Sequence, residues 1–206
     1  MRLPGLTLHV PRKKSGKKAA QKFRQALARI EAFTREIDSS NLSDQAVSWA
    51  YEAALIKTAV AFEQLMLDCI VAAINNDTAT ISARTGIGFP KHLTDEVCEY
   101  LVTGGGFFDF KGRDGLIKTI KGYVPDNHWL LEAVKQAQHK GPLDRMIALR
   151  NFAAHESSAS KRKALDAIGQ QRVSSAGSWI KCQGRFSNLT TALTNLANEI
   201  ETKAPY

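Results

Sequence analysis

"SDQAVSWAYEAALIKTAVAFEQLMLDCIVAAIN", residues 43–75, is the stretch on which the fold class turns. Val47, Ala50, Tyr51, Ala54, Leu55, Thr58, Phe62, Leu65, Met66, Cys69 and Ile70 recur at intervals of three and four, the period of one helix face. No Gly or Pro interrupts the run, Ser43 offers an N-cap, and Asp44 falls at the positive end of the helix dipole. Lys57, Glu63 and Asp68 break the most apolar part. Those charges would be costly in a bilayer, so the segment predicts a long core helix and no membrane span.

Other helices follow from the same reasoning. Upstream, Ala19, Phe23, Ala26, Leu27, Ile30 and Phe33 predict a helix over 15–38, broken by Ser39, Ser40 and Asn41. Downstream, "NNDTATISARTGIGFP" (75–90) reads as a polar connection and "KHLTDEVCEYLVT" (91–103) as a short helix stopped by Gly104, Gly105 and Gly106. Further helices are expected over 113–121, 129–138 and 186–202, the last with Leu189, Leu193, Leu196 and Ile200 on one face. Pro142 suits the first turn of another helix, which carries "RMIALRNFAAHESSASKRKAL" (145–165) and has room to loosen at "HESSAS". "VSSAGSW" (173–179) reads as a Gly/Ser-containing link. With no alternating strand pattern, these elements predict an all-α, single-domain helical bundle built around two long helices, residues 19–206, after a basic arm, residues 1–18.

Composition fits a globular protein: 44% of the 206 residues are hydrophobic and 23% charged. The net charge of +8 is unevenly spread. Residues 1–30 hold nine of the 28 Lys and Arg and no acid, leaving 19 basic residues against 20 acidic ones. Lys13, Lys14, Lys17 and Lys18 of the arm therefore suit RNA phosphates, or equally a solvated tail. Cys69, Cys98 and Cys182 have no CxxC spacing and read as reduced core thiols of a cytoplasmic protein. The N-terminal stretch lacks the apolar run of a secretory signal.

Chemistry concentrates at Arg150, Asn151 and His155. Asn151 and His155, four apart, share a helix face, and the long Arg150 side chain can reach round to them. Imidazole is the usual general acid or base, guanidinium offers paired donors to a phosphate, and an amide can orient either. Together they fit cleavage of an RNA phosphodiester by its own 2′-OH, without a metal. Lys161, Arg162 and Lys163 follow at a spacing suited to holding the RNA backbone. Arg150 could instead pair with Glu63 or Glu156, with His155 capping the helix. Glu63, inside an apolar stripe, reads as the structural partner of an Arg before it reads as a base. His9, His92, His128 and His139 read as surface or capping residues. No metal-ligand cluster, GxSxG or HExxH is present, and the triple glycine reads as a turn.

"RNFAAH", Arg150 to His155, resembles the Arg-polar-x-His motif of the HEPN superfamily, and its place after a helix carrying "AFEQLMLDCIVAAI" resembles stand-alone bacterial members of the RiboL-PSP type. Arg2 and His9 satisfy the bare spacing too, but Pro4 and Gly5 bar that segment from the required helix. The resemblance implies a helical bundle and a metal-independent endoribonuclease of toxin or defence type. It also implies a homodimer with a composite active site, Arg150, Asn151 and His155 as the catalytic set, Glu63 as support, and no cofactor. Ser157 stands where members modified by a nucleotidyltransferase carry Tyr, which argues against that mode of control. An antitoxin or regulatory protein of another kind stays open as a partner. The alternative is a non-catalytic helical RNA- or protein-binding module, and a third reading is an inactive subunit of an active partner.

Overall fold

The computed structural model describes residues 13–206, and every regular element among them is helical. In chain order these are α1 (Gly16–Asp38), α2 (Asp44–Asn76), α3 (Ala79–Thr85), α4 (Asp95–Thr103), α5 (Gly112–Lys121) and α6 (Trp129–Val134). A single 3-10 turn at Ala137–His139 leads into α7 (Lys140–His155), followed by α8 (Ser158–Ile168), α9 (Ala176–Ile180) and α10 (Arg185–Lys203). The expected all-α bundle is present, and the two long helices are α1 and α2. No helix among the described residues is long and apolar enough to cross a membrane.

The caps follow the sequence signals. Ser15 accepts from the Lys18 N–H at 3.3 Å and Ser43 from the Ala46 N–H at 3.2 Å. α2 differs from expectation in one respect: it does not present a single stripe. Every residue from Leu65 to Asn75 is buried, and α1, α4, α7 and α9 all pack against the helix along its length. Phe62, wholly buried, meets Phe23 edge-on at 5.8 Å and Phe110 at 5.9 Å, which ties α1 and the 104–110 loop to α2.

Five readings need correction. The 75–90 connection contains α3, which buries Ile81, and the 173–179 link contains α9, opened by a Ser175–Ser178 capping box. The helical body starts at Gly16, not after residue 18, and Lys13 and Lys14 are built into it. Lys14 Nζ sits 2.7 Å from Asp68 and 2.9 Å from Glu99, while Lys13 Nζ reaches His92 Nδ1 at 3.0 Å. The remainder of the arm, residues 1–12 with His9, lies outside the described residues. His139 is buried, not superficial: its Nε2 lies 3.1 Å from Glu199 Oε1. Cys182 is exposed, whereas Cys69 and Cys98 are core thiols, and burial pushes Cys98 up to about 11 and Cys69 further still.

His128 is a cap, as expected. Its Nδ1 accepts the Leu130 N–H at 3.2 Å, and burial lowers its pKa from 6.5 to about 4, against the pull of Asp77 and Glu132. Protonation would place a proton on the accepting nitrogen and a charge at the positive end of α6. The stability owed to neutral His128 is therefore full above pH 6.5 and lost as pH falls through about 4. Solvent screening of this half-exposed ring leaves roughly 1–2 kcal/mol. His128→Asn keeps a capping oxygen and removes the titration. Urea melts at pH 7 and pH 4.5 should show the variant losing less stability on acidification than wild type; equal losses would refute the assignment.

Candidate functional site

α7 buries Leu143, Met146, Ile147, Leu149 and Phe152 on the bundle side. That register directs Arg150 toward α2. Its Nη2 lies 3.4 Å from Glu63 Oε1, and its Nη1 donates to Asn151 Oδ1 at 3.0 Å. The side chains are 24% exposed for Arg150 and 13% for Glu63. Glu63 Oε1 makes no hydrogen bond among the described residues, so this is a loose ion pair and not the bidentate fork a guanidinium can form. Burial pushes the Glu63 carboxyl up, Arg150 draws it back, and the charge of Asp109 pushes it up again.

His155 is the last residue of α7 and is exposed. Glu156 stops the helix in the left-handed region at φ 45°, with its N–H on the Phe152 carbonyl at 3.0 Å. Ser157 then caps α8 by accepting the Ser160 N–H at 3.1 Å. The loosening expected at "HESSAS" is thus a corner between two helices, and His155 stands on it. Arg162 and Lys163 are exposed on the first turns of α8, while Lys161 is half buried with Nζ 6.0 Å from the centre of the Phe152 ring.

The structure brings Arg150, Asn151 and Glu63 together, and His155 takes part in none of their contacts. Five residues of helix separate Arg150 and His155 by about 7.5 Å along the axis and about 140° in rotation. The exposed Arg162 and Lys163 follow the His155 corner on α8, whereas the charge of Lys14 is engaged by Asp68 and Glu99. Lys17 and Lys18 are exposed on the first turn of α1. Among the described residues no three His, Cys, Asp or Glu side chains converge to hold a metal ion. Phe107 and Asp109, which line an open groove with Arg150 and Glu63, carry no motif. The signal available was a pair of phenylalanines directly after three glycines.

The Arg150–Glu63 pair makes two roles separable. Arg150→Ala leaves a mostly buried carboxylate without its cation, a loss of roughly 1–2 kcal/mol after allowing for partial exposure. Protonated Glu63 tolerates that burial, so the deficit of the variant should be small near pH 4.5 and grow as pH rises to 8. Adding Glu63→Gln should recover stability at pH 8. Thermal melts of the single and double variants test this, and a deficit indifferent to pH would show the pair to be energetically idle.

In comparisons with known proteins, the chain matches no family model, no curated protein and no solved structure.

Proposed function

We propose that the protein is a metal-independent endoribonuclease that works as a homodimer, with His155, Arg150 and Asn151 at its reactive site. The observation that carries this reading is the end of α7. An exposed imidazole stands on a helix corner that leads into α8 with its exposed Arg162 and Lys163, five residues beyond a guanidinium that contacts Glu63 and Asn151. In the reaction the RNA 2′-oxygen attacks the adjacent phosphorus while the bond to the 5′-oxygen breaks. His155 protonates that leaving oxygen, and His155 of the partner subunit takes the 2′-OH proton. Arg150 shifts from Glu63 to the phosphate and offsets its growing negative charge. The products are a 2′,3′-cyclic phosphate and a 5′-OH. A groove shared across a two-fold axis would supply the second imidazole.

The test is incubation of the purified protein with mixed structured and single-stranded RNA in excess EDTA, with end-group analysis of the products. Cleavage leaving 2′,3′-cyclic or 3′-phosphate ends supports the reading. Retarded but intact RNA would favour the second reading, a non-catalytic RNA- or protein-binding module. The engagement of Arg150 by Glu63 favours that alternative, since it gives the guanidinium a role without substrate.

A further inference from the structure

The open groove between α2, α4 and the 104–110 loop has a volume of roughly 690 Å³, and Val60, Leu67, Phe107, Phe108, Asp109 and Arg150 are among its walls. Its loop is pinned from behind. Phe110 is buried against Phe62, and Phe108 leans on Phe110 at 6.0 Å. From this anchored base Phe107 stands 100% exposed, with Tyr100 65% exposed on the neighbouring helix. A phenyl ring held wholly in water forgoes the burial that Phe62 and Phe110 obtain a few residues away, and a flat partner would restore it.

The polar groups of the groove are mainly acceptors. Glu99 is occupied by Lys14 and Glu63 by Arg150. Asp109 is exposed, makes no hydrogen bond or ion pair among the described residues, and lies close enough to Glu63 to act on its carboxyl. The groove thus combines a stacking ring, a carboxylate with both oxygens open, and a guanidinium at the rim. Those are the contacts a nucleotide uses through its base plane, base edge and phosphate. Carboxylates inside the groove repel a phosphate backbone, so the base alone enters and the strand passes over Arg150. Among RNA bases, guanine presents N1–H and N2–H side by side, a match for two carboxylate oxygens. Adenine, cytosine and uracil each offer a single donor position on the same edge.

Building on the RNA-directed reading above, we propose that the groove is a subsite for one unpaired guanine, stacked on Phe107 and read by Asp109. The subsite would set which phosphodiester is presented to His155.

The experiment uses the full chain and uridine-rich 2′-O-methyl oligonucleotides, which cannot be cut, carrying one central guanine, inosine, adenine or cytosine. The expected result is guanine bound about tenfold more tightly than inosine, which lacks only the N2 amine, and more tightly than the others. Phe107→Ala should weaken the guanine oligonucleotide about tenfold, and Asp109→Asn should level guanine with inosine. Both residues are exposed, so unchanged melting temperatures would confirm intact folds. Equal binding of all four bases, or an Asp109→Asn variant with the wild-type preference, overturns the proposal. So does absence of binding, and a Lys/Arg-rich peptide that binds instead and is lost in Phe107→Ala would make the groove a protein-docking site. Because the probes are uncleavable, guanine preference without RNA cleavage would sink the nuclease reading and leave the subsite standing.

Discussion

His155→Ala is expected to abolish RNA cleavage, by about a thousandfold or more, while its melting temperature stays within about 2 °C of wild type. General acid–base groups contribute typically 10²–10⁴-fold to the steps they serve. In a homodimer the substitution removes both imidazoles at once, so the loss should fall at the upper end of that range. The structural cost is small for a definite reason. His155 ends its helix, is exposed and its side chain makes no hydrogen bond among the described residues, while the helix stop is formed by Glu156 and Ser157 backbone and side-chain contacts. A surface substitution of that kind changes stability by about 0.5 kcal/mol or less. RNA affinity should also hold, since Arg150, Arg162 and Lys163 remain. A variant that cuts like wild type would remove His155 from the mechanism outright. One that neither folds nor binds would show the corner to be structural.

This cleanness distinguishes His155 from its neighbour. Arg150 cannot be removed without exposing Glu63 to an unpaired burial, so a loss of activity in Arg150→Ala alone mixes two causes. Comparing it with the Arg150→Ala/Glu63→Gln pair separates them. If the double variant regains stability but not cleavage, the guanidinium acts on the phosphate. If it regains both, its role is to neutralise α2.

What the sequence made legible divides along physical lines. α1, α2 and α10 were readable because their apolar period persists over many turns, and Ser15 and Ser43 cap where the pattern begins. α3 and α9 were hidden because seven and five residues hold too few turns for a period to show. Arg150, Asn151 and His155 stand out in the sequence because three polar groups crowd a turn and a half of an amphipathic helix. The choice of Glu63 over Glu156 as the partner of Arg150 was not readable, since it depends on how α7 lies against α2. His139 was misread for the same reason: Glu199, its partner, lies 60 positions away in the chain. The groove joins residues near 60, 107 and 150, and no local pattern could have assembled it.

The largest loss of stability should come from the segment that read as a link. Gly177, on the first turn of α9, has its N–H on Glu52 Oε1 at 3.0 Å, and this bond satisfies a carboxylate only 9% exposed. A Cβ there would fall inside the van der Waals envelope of the Ser48 carbonyl oxygen, 2.7 Å from the Ser48 carbonyl carbon and 2.9 Å from Glu52 Cγ. The first two of these are backbone atoms of α2 and cannot turn aside. α9 would have to retreat, giving up the Glu52 bond and the burial of Ala176 and Ile180. Overpacking costs about 1–3 kcal/mol and an orphaned buried acceptor about 1–3 more. Gly177→Ala should therefore lose about 3 kcal/mol, or roughly 6–12 °C in melting temperature for a chain of this size. Gly141→Ala supplies the contrast. It lies exposed in the first turn of α7 with nothing but its chain neighbours within 4 Å of an added Cβ, and the Pro142 ring, which disfavours a helical Cβ-bearing residue before it, offsets the gain of up to about 1 kcal/mol from restricting the unfolded chain, so the change should be close to neutral. The same chemical change then costs much at one helix start and little at the other, decided by what stands opposite. If Gly177→Ala melts with wild type, α9 does not rest on α2 through this contact, and Glu52 finds its partner elsewhere.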